Sequence, residues 1–193
     1  MTATEIHPLV PFPGTHPCPG GPLCARLDGN GQGGLVITYR LRGAADEILL
    51  PGPARPAFAE DLWQHTCFEA FVATAVATSP YREFNFSPSG EWAAFDFMAY
   101  RQRDHGYRAE AVPGLVLTRD DERLELVAEL PAALLPPPGE ARRLHIGLAA
   151  VIEATRGGLS YLALHHPANR PDFHHRGGFV LELADPRRIQ ESS

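Results

Sequence analysis

From Leu23 onward the chain alternates apolar and polar residues with period two. Leu35, Ile37, Tyr39 and Leu41 interleave with Val36, Thr38, Arg40 and Arg42, the pattern of a strand with one face buried. Comparable segments recur at short intervals and predict strands at 23–28, 34–42, 66–75, 81–87, 91–100, 114–119, 123–130, 143–153, 159–165 and 178–183. The clearest unit is YREFNFSPSGEWAAFDFMAYR, where Pro88, Ser89 and Gly90 divide two alternating runs and predict a hairpin over 81–100. Helical period is nearly absent. Residues 131–135, opening on Pro131, predict a turn or two that the following prolines stop. Many short strands with Pro/Gly punctuation predict an all-β fold: an antiparallel β-sandwich, jelly-roll or immunoglobulin-like, with at most a short helix. The Pro-rich residues 1–22 read as an extended, weakly ordered arm, residues 23–185 as a single sandwich domain, and residues 186–193 as a C-terminal tail.

Length and composition narrow the chemistry. A chain of 193 residues can bury a sizeable core without disulfides or metal, and no apolar run reaches membrane-spanning length. All 17 basic residues are Arg, so a Schiff-base or Walker lysine is excluded. A net charge of -6 makes nucleic acid a poor partner. Three cysteines, Cys18, Cys24 and Cys67, do not make a disulfide framework, and the first twenty residues lack a signal-peptide pattern. A cytoplasmic protein is expected.

Several clusters carry candidate chemistry. Gly29 to Gly34 formally fits G-x-G-x-x-G, but it opens a strand rather than a helix and reads as a hairpin loop. In LWQHTCFEAFV, alternation puts His65, Cys67 and Glu69 on one face. That permits a thiol hydrolase using Cys67 and His65, against the plainer reading of a buried Cys beside a hydrogen-bonded Glu. On the hairpin, Phe84, Phe86, Phe95 and Phe97 read as core, leaving Glu83, Asn85, Trp92 and Asp96 on a polar and aromatic face. Such a face suits sugar hydroxyls and pyranose rings, or is simply solvated. His165, His166, His174 and His175 crowd one stretch whose spacing matches no metal signature, so no metal is expected there. The loop from His165 to Arg176 is stiffened by Pro167 and Pro171 and is expected to fold over the sheet edge, presenting Asn169, Arg170, Asp172 and His174.

The run from Leu62 to Tyr100, with Trp63, Glu69, Phe71, Phe84, Asn85, Pro88, Gly90 and Trp92, resembles the DOMON-like domains related to family 9 carbohydrate-binding modules. Pro171 to His174 resembles a bacterial subfamily of that group, some of whose members carry a murein-precursor reductase label. The resemblance implies a non-enzymatic β-sandwich whose relatives bind sugars or haem. His65 and Thr66 stand where sugar-binding relatives carry an acidic pair. The resulting expectation is a binding domain for a carbohydrate or similar polar small molecule, with no resident cofactor. Its candidate ligand-binding residues are Trp63, His65, Glu69, Asn85, Trp92, Asp96, Asn169, Arg170, Asp172 and His174. The haem alternative uses Met98 and His174 as axial ligands.

Overall fold

The computed structural model describes residues 5–43, 45–74, 80–138 and 142–189. Two antiparallel sheets face each other. The smaller contains β1 (Ile6–Pro8), β3 (Leu23–Gly29), β4 (Leu35–Arg42), β9 (Gly114–Arg119) and β10 (Arg123–Leu130), in the order β1-β3-β4-β10-β9. The larger runs β2 (Val10–Pro11), β12 (Leu159–Ala163), β11 (Arg143–Glu153), β5 (Cys67–Ala73), β6 (Tyr81–Phe86), β7 (Trp92–Ala99) and β8 (Gln102–Arg103), with β13 (Leu181–Ala184) also pairing with β11. The all-β sandwich expected from the alternation is therefore present. Among the described residues the helical segments are single turns, including Ala132–Leu134 where a short helix was predicted and Pro186–Ile189 in the tail. Among the described residues no helix is long and apolar enough to cross a membrane.

The core between the sheets follows from period two. Leu35, Ile37, Tyr39 and Leu41 of β4 and Leu124, Leu126 and Ala128 of β10 face Phe68, Ala70, Phe84, Phe86, Ile146 and Leu148 of the larger sheet. All seven residues of β5 and all six of β6 are buried, because the outer face of the larger sheet is covered as well. There a second cluster forms from Phe71, Tyr81, Phe95, Phe97 and Phe179.

The glycine-rich segment is the expected hairpin loop between β3 and β4, where Asn30 Oδ1 accepts from the backbone N–H groups of Gln32 and Gly34, each at 2.8 Å. The arm differs from its expectation. β1 pairs with β3 of the smaller sheet, β2 pairs with β12 of the larger, and Leu9 between them is buried in the core. The arm is thus a clip across both sheets, held by edge pairing that proline tolerates.

Candidate functional site

The hairpin register decides which side chains share a face. Phe86 pairs with Trp92, Phe84 with Ala94 and Glu83 with Phe95, across the five residues Ser87 to Glu91. An odd connection preserves parity, so Trp92 and Asp96 lie with Phe84 toward the inter-sheet side, while Phe95 and Phe97 lie with Glu83 on the outer face. This corrects the predicted face. Trp92 joins the main core, and Asp96 pairs at 2.9 Å with the buried Arg82, whose Nη1 also donates to the carbonyls of Leu134 and Leu135.

Above the outer face opens a cavity of about 740 Å³, inside the ~300–1,000 Å³ range of small-molecule sites. Its lining includes Glu69 from β5, Glu83 from β6, Phe95 and Phe97 from β7, Val151 and Tyr161 from β11 and β12, and Arg101 and Arg103 beyond β7. Glu60, Asp61 and Trp63 come from the segment before β5, Thr15 from the arm, and Arg170, Pro171, Phe173 and His174 from the proline-stiffened loop. That loop does cover the sheet, for the His174 ring packs on Phe71, Phe97 and Tyr81 at centroid distances of 5.3, 4.9 and 6.0 Å.

Two acids dominate the electrostatics. Glu69 is 4% exposed, and burial followed by repulsion from Glu83 pushes its carboxyl well above the usual range, with Arg101 opposing. Burial pushes Glu83 up to about 7, opposed by the Asn85 hydrogen bond and by Arg101 and Arg103. Asn85 Nδ2 donates to Glu83 Oε1 at 2.7 Å. Burial, then repulsion from Arg101, lowers His174 to about 4, so its ring is neutral at pH 7. The Arg101 backbone N–H donates to the Tyr81 hydroxyl at 3.1 Å, and that hydroxyl shares a hydrogen bond of 2.8 Å with His174 Nδ1. On its other side His174 Nε2 lies 3.7 Å from Glu83.

Among the described residues, two non-glycine residues, Asp61 (φ 60°) and Arg101 (φ 56°), adopt the left-handed region, and both line this cavity. Such conformations cost energy for residues with a Cβ and recur at ligand sites. Arg101 is held there by Asp172, which accepts from its guanidinium at 2.9 Å and from Tyr100 at 2.5 Å. Burial alone would raise the Asp172 carboxyl, but these two hydrogen bonds together with the Arg101 charge outweigh it and keep it low.

Of the ten predicted site residues, Trp63, Glu69, Arg170 and His174 line the cavity, and Asn85 supports it through Glu83. Asp172 is buried and holds Arg101. Asn169 lies in a separate surface depression beside Val10 and Phe12. His65 is exposed, its Nδ1 2.8 Å from Glu153. Cys67 is buried beside Asn85 at 3.7 Å, and burial, then Glu69, raises its thiol well above the ordinary value. The Cys67–His65 pair is therefore not a reactive dyad: its thiol is protonated and its imidazole is engaged elsewhere. Met98 is exposed, and alternation turns it from the face that bears Phe97 and His174, so the two do not converge on one haem iron. Among the described residues no three His, Cys, Asp or Glu side chains gather as a metal site.

The comparison with solved structures finds the crystal structure of a "putative carbohydrate-binding protein" from Bacteroides uniformis ATCC 8492. It aligns with a TM-score of 0.65 at 15% sequence identity, over 91% of this chain and 84% of that one. The two share a fold. No protein-family model matches this chain, and no curated protein matches it either. Glu83, placed on the polar face of the hairpin by alternation, lines the cavity, whereas sequence reasoning missed Arg101, Arg103, Phe95, Phe97, Tyr161 and Phe173. The available signal for the phenylalanines was the odd length of the hairpin connection. Nothing local marked Tyr161 or Phe173, which reach the cavity through pairing and loop path.

Proposed function

We propose that this chain is a non-enzymatic binding domain for a carbohydrate or similar polar small molecule, which it takes into the cavity above β5, β6 and β7. The observation that carries this reading is the cavity's composition: two buried carboxyls, Glu69 and Glu83, on the floor, and the aromatic rings of Trp63, Phe95, Tyr161 and Phe173 around them. Carboxyls hydrogen-bond vicinal hydroxyls, and aromatic rings pack on the apolar face of a pyranose. The shared fold with a structure described in carbohydrate-binding terms supports the same class. The DOMON-like affinity belongs to this proposal too, since its motif positions Trp63 and Glu69 line the cavity and Asn85 braces it. So does a cytoplasmic location, with Cys18, Cys24 and Cys67 all free. The reading needs no resident metal or cofactor, nucleic acid or membrane.

The test is a thermal-shift screen against neutral, acidic and amino mono- and disaccharides, repeated on Trp63→Ala. Trp63 is 49% exposed, so its truncation is expected to leave Tm nearly unchanged while weakening the ligand by about tenfold. A screen in which no sugar raises Tm, or in which Trp63→Ala binds as the parent does, refutes the reading.

A further inference from the structure

We infer that the preferred ligand is a sugar bearing a primary amine, with its ammonium group set against the Glu69 and Glu83 carboxyls. This rests on the sugar-binding reading above and names its substrate class. The starting observation is Glu69. Its side chain is 4% exposed, it lines the cavity, and among the described residues its carboxyl has no hydrogen-bonding partner. A buried carboxyl without a donor is costly, and this one opens toward space that a ligand would fill. Glu83 beside it spends one oxygen on Asn85 and has His174 Nε2 at 3.7 Å.

Two of the three arginines that line the same cavity, Arg101 and Arg103, are already committed. Arg101 is bound to Asp172 at 2.9 Å, and Arg103 grips Glu60 through two bonds of 2.9 and 2.7 Å while lying 3.9 Å over the Phe95 ring. Among the described residues neither these two guanidinium groups nor that of Arg170, exposed on the covering loop, bonds to Glu69 or Glu83, and Arg101 and Arg103 act on the two acids only from a distance. A neutral hydroxyl would satisfy their hydrogen bonds and leave their charge uncompensated. An ammonium does both, through charge-assisted bonds, and the aromatic walls add cation–π attraction. An anionic sugar would meet like charge at the floor. Without ligand, the pair relieves its repulsion by keeping a proton, as the upward displacement of both carboxyls indicates. A bound ammonium takes that proton's place and expels it.

The experiment compares disaccharides of β-1,4-linked glucosamine, N-acetylglucosamine and glucose, which differ only at C2, with the galactosamine/galactose and mannosamine/mannose pairs alongside. Isothermal calorimetry on the full chain at pH 6.5, in two buffers of different ionisation heat, reads affinity and proton release together. The expected result is about tenfold or greater preference for an amino sugar over its hydroxyl and acetamido counterparts, with proton release for the amino sugar alone. Glu69→Gln, which keeps the shape and removes the charge, is expected to abolish the preference by weakening amino sugars more than neutral ones. Neutral sugars binding as tightly as amino sugars, or a preference unchanged in Glu69→Gln, overturns the inference and leaves the sugar-binding reading standing. Absence of binding by any sugar overturns both. Proton release needs no variant, so a poorly folding Glu69→Gln does not remove the test: amino-sugar binding without release counts against the ammonium site.

Discussion

Glu83 is a residue whose ionisation opposes the fold that buries it. Its carboxyl titrates at about 7 in the folded chain against an ordinary 4.5. A group raised in this way contributes stability that is full below 4.5 and lost as pH climbs through 7. His174 runs in the opposite sense. Held at about 4 against an ordinary 6.5, it stays neutral while the unfolded chain's imidazole takes up a proton. Its contribution is full above 6.5 and lost as pH falls toward 4. The two partly cancel in the whole protein, so a variant is needed to separate them. Glu83→Gln is expected to gain stability relative to the parent as pH rises from 5 to 8, by an amount on the order of a few kcal/mol. Denaturant unfolding of both proteins at several pH values reads this directly, and a difference that stays constant across the range contradicts the buried charge.

At the scale of elements, the hairpin of β6 and β7 divides its aromatic residues between two compartments. Phe84 points into the core shared by both sheets and is fully buried. Phe97, five positions along β7 from Trp92, emerges on the other side, stacked on Tyr81 at 4.9 Å and covered by His174. Phe84→Ala is expected to cost about 3–5 kcal/mol through the cavity it leaves, with ligand affinity unaltered once folded. Phe97→Ala is expected to destabilise less and to weaken sugar binding, because it loosens the wall that holds His174. Affinity lost in the first and kept in the second would mean that the two faces are assigned backwards. All ten predicted strands exist, because period two is a local signal that survives without tertiary context. β1, β2 and β8 were not legible, since two or three residues are too few to show a period. The face assignment failed at one place, the parity of a five-residue turn, and that error moved Trp92 and Asp96 into the predicted site and left Phe95 and Phe97 out of it.

At the scale of the whole molecule, the arm closes the sandwich. Leu9 sits 4% exposed between a strand on one sheet and a strand on the other, and a few residues on Thr15 reaches the cavity. Leu9→Ala is expected to lower stability by about 2–5 kcal/mol, measured by denaturant unfolding. A loss below about 0.5 kcal/mol, the level of an ordinary surface change, would show that the arm is not part of the core in solution. What the sequence by itself determined is the set of strands, the all-β class, the loop between the glycines of 29–34 and the absence of lysine chemistry, because each depends on residue type or on spacing within a few positions. It also pointed to Glu69, Arg170 and His174, since a carboxylate on a strand and a proline-stiffened loop carry their own signature, and to Trp63 through the resemblance to DOMON-like domains. Only the tertiary structure decided that Glu83 and Glu69 become diagonal neighbours, that Asp172 bonds Arg101 and Tyr100, and that His65 turns to Glu153 away from Cys67. Those outcomes depend on register, on burial and on which distant segment covers which face, quantities that arise when strands far apart in the chain pair and desolvate one another.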